Sequence, residues 1–276
     1  MAKVHTIMRG GSRFYIHPES HVKLPGVTSV LGMLPKPFLA YWQAKLTAEL
    51  AVDSQPYVAQ MVARDRQGAV DWLKGAAPRY TRARARLGSD AHDLFERLIR
   101  GEAVGRVHPD LEPYKAHFLD FLAVVRPELV HAEDVCWSDT HGYAGSFDAV
   151  LRVYLAEDGT PDPDGTPHLL MVDWKTSKDT YPDVALQMSA YRYADRIIHA
   201  DGTTSPMPEF DGAAVLHITD AGWAFKPVAS GPDVFEVFLA LRRIFTWDRE
   251  TSKTVIGRAI AASVARLVTG TQRRAR

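Results

Sequence analysis

The chain has 276 residues, 46% of them hydrophobic, which is enough for one sizeable core with a helical addition. Its 33 basic and 33 acidic residues balance, so no global field draws a polyanion and any such site must be a local patch. A single cysteine, Cys136, excludes an internal disulfide, a four-thiolate zinc site and an iron–sulfur cluster held by cysteines of this chain, and it fits a reducing compartment. No apolar run approaches the ~20 residues of a membrane span, and Met1 to Thr6 lack the apolar core of a signal peptide. The expected setting is the cytoplasm, with no membrane partner.

In chain order, Arg13-Phe14-Tyr15-Ile16 predicts a short strand, and Pro25-Gly26 ends it. Thr28 or Ser29 is expected to cap the helix that follows. From Val30 to about Val125 the spacing is helical, with Phe38, Tyr41, Trp42 and Leu46 at three-to-four intervals and Pro35, Pro37, Pro56, Pro78 and Pro109 as interruptions. Trp42, Trp72 and Phe95 read as core. From Val130 to about Phe225 the texture turns to β-branched and aromatic runs: Ala132 to Trp137, Ser146 to Tyr154, Leu169 to Lys175, Ala213 to Ile218 and Trp223 to Phe225. The segment Glu157 to Pro167 is a hairpin tip, because its Gly, Pro and Asp suit turns. After Pro232, the residues Val234, Phe235, Val237, Phe238, Leu241 and Ile244 predict an amphipathic helix, and the chain closes on a basic tail, Arg273-Arg274-Ala275-Arg276. The expectation is a single α/β domain, a central mixed sheet flanked by helices. Residues 1–125 would form a mainly helical N-terminal wrap carrying His92, 126–250 the α/β catalytic core, and 251–276 a C-terminal helix and basic tail.

The chemistry concentrates in Met171-Val172-Asp173-Trp174-Lys175. A strand sends residues i and i+2 to one face, so Asp173 and Lys175 project together while Trp174 points away. An exposed acid–lysine pair would be worth little. Here, however, the apolar run Leu169-Leu170-Met171-Val172 leads straight into the acid and places the triplet at the end of a core element. Asp148 lies in the neighbouring β-patterned run, and two adjacent strands would bring both acids to one metal. Carboxylates hold hard divalent cations, and such cations neutralise phosphoryl oxygens and make hydroxide at neutral pH. Asp148 and Asp173 are therefore the expected ligands of Mg²⁺ or Mn²⁺, with the Trp174 backbone carbonyl as a further oxygen. Lys175 would orient the attacking water and offset developing negative charge. His92 offers a third ligand through a neutral ring nitrogen, and Glu96 shares its helix face one turn on. Gln187 and Tyr191, also one turn apart, are placed to bind the scissile nucleotide or to buttress the ligands. Arg79, Arg82, Arg84 and Arg86 crowd before His92 with Tyr80 among them; such a patch holds phosphates and stacks a base, or it is a solvated helix face paired with acids.

In order, Gly88 with His92, Gly145 with Asp148, Asp173-Trp174-Lys175, and the pentad Gln187-Met188-Ser189-Ala190-Tyr191 resemble the PD-(D/E)XK nuclease superfamily, in its RecB-like exonuclease branch. Pro25-Gly26-Val27-Thr28-Ser29-Val30-Leu31 with Pro35-Lys36-Pro37 is similar to the opening of phage-encoded members, and the resemblance covers about residues 25–195. It implies a restriction-endonuclease-like core, with His92, Asp148, Asp173 and Lys175 as the metal and catalytic centre and Glu133 as an additional acid. It also implies DNA as substrate, a single-strand annealing recombinase or a helicase as partner, and the host cytoplasm as location if the chain is phage-encoded. Relatives that carry an iron–sulfur cluster use four cysteines, so this chain would be a cluster-free one. No Gly-x-x-x-x-Gly-Lys-Ser/Thr loop is present, so no ATP-driven motor is encoded here.

The leading expectation is thus a Mg²⁺- or Mn²⁺-dependent DNA exonuclease serving recombination or repair. The alternative is a non-catalytic nuclease-fold protein that binds DNA ends or a recombination partner. Paired-carboxylate glycoside hydrolysis is a third reading, and it leaves Lys175 and the arginines without a role.

Overall fold

A computed structural model describes residues 4–261. The chain starts as a three-stranded antiparallel sheet: β1 (Thr6–Arg9), β2 (Ser12–Ile16) and β3 (Lys23–Pro25). Gly10 and Gly11, both at positive φ, make the two-residue hairpin turn between β1 and β2, a conformation that suits the twist of the flanking strands. The short helix α1 (Val27–Leu31) follows, with Gly26 rather than Thr28 or Ser29 at its N-terminus and no side-chain cap. Ser29 instead ties α1 to β2, because its Oγ accepts the Arg13 N–H at 2.8 Å.

Four helices come next: α2 (Phe38–Asp53), α3 (Gln55–Arg64), α4 (Arg66–Lys74) and the long α5 (Ala76–Ile99). A 3₁₀ turn at Pro109–Leu111 leads into α6 (Glu112–Val125). The prolines sit where helices begin, Pro37 before α2, Pro56 and Pro78 in the first turns of α3 and α5, because first-turn N–H groups have no intrahelical partner to lose. The helical wrap expected over residues 1–125 therefore starts only after the first sheet. Of the three aromatics read as core, Phe95 is fully buried, whereas Trp42 and Trp72 are half-buried. Trp42 meets Tyr80 and Trp72 meets Tyr57 edge to face, and the Arg79 guanidinium lies 5.2 Å over the Trp72 ring. Their helical spacing reflects contacts between α2, α3, α4 and α5, not a place in the central core.

The remaining strands build two sheets. The five-stranded mixed sheet has the order β12 (Trp223–Val228), β11 (Gly212–Ile218), β8 (Thr166–Lys175), β7 (Ala149–Leu155), β4 (Glu128–Ala132), with only β8 and β11 parallel. The four-stranded antiparallel sheet runs β10 (Thr204–Pro206), β9 (Arg196–Ile198), β5 (Val135–Ser138), β6 (Tyr143–Ser146). Two runs read from sequence as single strands are each broken in the middle. Ala132–Trp137 splits at Glu133-Asp134, where Glu133 adopts φ 56°, and Ser146–Tyr154 splits at Phe147-Asp148. The breaks face each other: Glu133 N–H donates to the Asp148 carbonyl and Phe147 N–H to the Asp134 carbonyl, both at 3.1 Å. A single long hairpin is thus bent so that its two ends serve different sheets, and the strands on both sides of the bend are largely buried.

Helix α7 (Asp183–Arg192) follows β8, and α8 (Pro232–Arg249) closes the fold. One face of the five-stranded sheet, with Val172, Trp174 and Leu151, packs on Phe95, Phe118 and Phe121 of α5 and α6. The other, with Met171, Val150 and Val215, packs on α1, α7 and α8. In α8 the buried residues are Phe235, Phe238, Leu239, Leu241 and Phe245; Val237 and Ile244, expected on the apolar face, are exposed. No helix continues through residues 251–261, which hold a single 3₁₀ turn at Thr251–Lys253, and the arginines of the tail lie outside the described residues. Among the described residues no helix is long and apolar enough to cross a membrane.

Candidate metal centre

The bend of the hairpin sets the geometry of the site. Asp148 stands at the break before β7, and its Oδ2 accepts the Trp174 N–H of the adjacent β8 at 2.6 Å. This charge-assisted bond fixes the acid by the backbone of the strand that bears Asp173 and Lys175. On the other side, Asp148 Oδ1 lies 3.4 Å from His92 Nδ1 on α5. Glu133, in the facing break, completes a trio: one ligand atom each from His92, Glu133 and Asp148 fall within 4.8 Å of one another. Helix α5 is pinned to this corner by Arg100, which pairs with Glu96 at 2.9 Å and donates to the Ala132 carbonyl at 2.9 Å. Glu96 therefore holds the helix in place and is not among the gathered ligand atoms.

Asp173 lies on the central strand and is only 2% exposed. Its Oδ1 accepts the Gln187 amide at 2.8 Å, and its Oδ2 pairs with the Lys175 ammonium. Apart from that ion pair, Oδ2 is buried and accepts no hydrogen bond among the described residues. Gln187 also donates to Tyr191 Oη at 3.1 Å and accepts from Lys175 at 3.3 Å. The one-turn spacing on α7 thus produces a chain from phenol to amide to acid to ammonium. Gly145 is required beside it, because a Cβ there would stand 2.7 Å from the Tyr191 ring and 3.0 Å from Val27. The Trp174 side chain points to the opposite face, among Phe95, Phe118 and Phe121, and its main chain meets the site through its N–H.

The electrostatics pull these groups apart. Burial opposes a charge on His92, but the charge and hydrogen bond of Asp148, helped by Asp173, outweigh it and lift the imidazole to about 9. Burial also works against Asp148, and the His92 and Lys175 charges with the Trp174 N–H hold it below the usual carboxylate range. Asp173 moves the other way, up to about 6, driven by burial and by the Asp148 charge against the pull of Lys175. Burial would lower Lys175, yet Asp173 and Asp148 keep it above its ordinary value. Lys175 is therefore an ammonium at neutral pH, suited to donate and to offset charge. It is not suited to accept a proton.

These groups line a cleft of about 360 Å³ that also takes in Arg13, Tyr15 and Ser146. Tyr15 and Arg13 come from the N-terminal sheet, which sequence spacing does not connect to the site. The Tyr15 phenol accepts the Ser146 N–H at 3.0 Å, so it braces the strand before Asp148. A second hollow, about 350 Å³, opens beyond Lys175 and Gln187 and is walled by Lys36, Tyr181 and Asp183; Lys36 and Asp183 pair at 2.7 Å. The two hollows share Thr28, Lys175 and Gln187.

The arginine patch divides. All of Arg79, Tyr80, Arg82, Arg84 and Arg86 are exposed on the first half of α5. At about 100° per residue, Arg82 and Arg84 project within about 80° of the direction of His92, and Arg84 is about 12 Å from it along the helix. Arg79 donates to the Trp72 carbonyl at 2.9 Å, Arg82 donates through Nε to the Pro78 carbonyl at 3.2 Å and Arg86 faces Asp90 at 4.0 Å, so these three are engaged locally. Tyr80 leans on Trp42 and keeps about half its surface open.

A scan against protein-family models gives no match, and no curated protein matches the sequence. What stands is a mixed α/β fold with a five-stranded mixed sheet and flanking helices. At a bend in one of its hairpins it gathers a histidine, three acids and a lysine.

Proposed function

We propose that this chain is a metal-dependent DNA exonuclease with a PD-(D/E)XK-type core, of the RecB-like kind, acting at DNA ends in recombination or repair. The observation that carries the reading is the meeting of His92, Glu133 and Asp148 within 4.8 Å beside the Asp173–Lys175 pair of the neighbouring strand. The donor set fits a divalent cation: the trio offers two carboxylates and one imidazole, which would release its proton on binding, and the buried Asp173 Oδ2 beside it has lone-pair capacity to spare. Oxygen-rich sets select Mg²⁺ and Mn²⁺, and the imidazole favours Mn²⁺ of the two. Such a cation, when bound, neutralises phosphoryl oxygens and lowers the pKa of a bound water.

The residues of the chain do the rest. Lys175 donates to the attacking water or to a phosphoryl oxygen and offsets the charge that builds there. Gln187, held between Tyr191 and Asp173, fixes the carboxylate and the lysine in register. Water adds to phosphorus and loses a proton to solvent, the bond to the leaving sugar oxygen breaks, and that oxygen takes up a proton from solvent. The hollow walled by Lys36 and Tyr181 lies on the far side of Lys175, where the substrate strand would continue. Arg82 and Arg84 flank the approach along α5 and meet the phosphates upstream.

The test is incubation of the purified protein with end-labelled linear and closed circular DNA in Mg²⁺, Mn²⁺ or EDTA, beside Asp173→Asn. Metal-dependent loss of the linear DNA alone, absent from the variant, is expected. Cleavage of the circle would replace exonuclease with endonuclease. DNA binding without cleavage in any divalent metal would overturn the catalytic reading in favour of end binding.

A further inference from the structure

A second cluster of ligand groups lies on the outer side of the same bend. His131 near the end of β4, Asp134 in the break and His199 just after β9 bring one ligand atom each within 4.8 Å of one another. Both imidazoles present Nδ1 to one oxygen, Asp134 Oδ2, at 3.3 Å for His131 and 3.0 Å for His199. The two rings stack at 5.4 Å with 20° between their planes. His199 Nε2 lies 2.9 Å from Ser205 Oγ on β10. Each of the three side chains is largely covered, and the two histidines keep about a quarter of their surface open.

Two protonation patterns satisfy these distances. In the first, both Nδ1 atoms carry protons and donate to Asp134, and the cluster is a closed hydrogen-bonded triad. In the second, His199 gives its Nε2 proton to Ser205, and its Nδ1 lone pair faces a carboxylate oxygen. Two acceptors at 3.0 Å repel unless a cation sits against both. The spacing suits the first pattern as an ordinary hydrogen bond, and it also admits a cation in the second. Ligands at about 2.0–2.1 Å around a tetrahedral zinc ion stand about 3.3 Å apart, close to the separations found here. A hydroxyl on the far ring nitrogen is also the arrangement that fixes the tautomer of a metal-bound histidine.

We infer that His131, Asp134 and His199 form a structural transition-metal site, for Zn²⁺ in preference to Mg²⁺, that joins the five-stranded sheet to the four-stranded one. Two imidazoles and one carboxylate make a borderline set that zinc fills and magnesium does not. Solvent reaches the cluster over the exposed ring edges and completes the coordination. The metal would clamp the corner from outside: Asp134 is one residue from Glu133, whose carboxylate points into the cleft on the inner side. The site does not depend on the chemistry that the cleft performs.

The experiment uses untagged full-length protein, stripped with chelator, reloaded with Zn²⁺ in excess Mg²⁺ and passed through a desalting column. One zinc per chain by elemental analysis is expected, with X-ray absorption of the wild type showing two imidazoles on the metal. Ser205→Ala should weaken zinc affinity about 10–100-fold. His199→Gln should lose the zinc with an unchanged circular dichroism spectrum, and Asp148→Asn should keep it. The wild-type absorption measurement stands even if the histidine variant fails to fold. No retained zinc in the wild type would leave the cluster a hydrogen-bonded triad and overturn the proposal. One imidazole on the metal, with loss in Asp148→Asn, would also overturn it by moving the zinc into the cleft.

Discussion

The two halves of α5 share one helix and one hydrogen-bond pattern, yet they are held differently. From Ala91 onward, Ala91, Leu94, Phe95 and Leu98 are buried against α6 and the face of β8 that carries Trp174. From Arg79 to Arg86 every residue is exposed, and the neighbouring α2 and α3 bury no residue fully. A helix supplies direction, but only packing supplies position. His92 sits at the start of the buried half and is therefore fixed against Asp148, while the arginines stand on the half that only the outer helices touch.

The contrast between the halves breaks first if both respond alike to truncation. Phe118→Ala removes the ring stacked at 4.6 Å on Phe95 and should cost about 3–5 kcal/mol in urea unfolding. Trp42→Ala, at the outer helices, should cost about 1 kcal/mol or less; equal losses would show that the wrap is part of the core. Next in size, Lys175→Ala should reduce DNA cleavage about 10²–10³-fold, read from initial rates on protein shown to be folded by circular dichroism, with a lowered unfolding midpoint because Asp173 loses its partner. A third measurement concerns His92 in metal-free protein. Its pKa in the folded state, about 9, lies above the ordinary 6.5, so its pairing with Asp148 stabilises fully below about pH 6.5 and is lost as pH rises through about 9. Urea midpoints in EDTA should fall across that window, and His92→Asn should flatten the fall. The smallest effect is on DNA affinity. Arg82→Ala with Arg84→Ala should shrink the salt dependence of binding by about one unit of log–log slope per arginine, whereas Arg79→Ala, which removes the guanidinium from Trp72, should alter stability and leave the slope alone.

Much of the site is legible in the sequence because its signals are local. Asp173 and Lys175 flank Trp174 at the end of an apolar run, and strand alternation alone puts the charges on one side and the ring on the other. Gln187 and Tyr191 meet because they are one helical turn apart. The bend is not legible as a change of sheet, because the acids Glu133-Asp134 and Asp148 that interrupt the two apolar runs are equally compatible with polar positions inside one long strand. The strands β9 and β10 escape a reading by pattern because three residues are too few to show alternation, and Pro206 ends the second. Tyr15 and Arg13 reach the cleft across more than a hundred residues of chain, a distance over which spacing carries no information. Trp42 and Trp72 mislead because a contact between peripheral helices has the same periodicity as a contact with the core.

Glu133 holds a left-handed backbone that a side chain with a Cβ adopts at a cost of about 1 kcal/mol, and glycine would sit there without it. The corner therefore sets resilience to heat against possession of a carboxylate. Glu133→Gly is expected to melt about 2–4 °C above Glu133→Ala, with divalent-metal binding in the cleft weakened in both, measured by scanning calorimetry and by Mn²⁺ titration. A screen for thermal endurance alone would register that relief and be blind to the carboxylate.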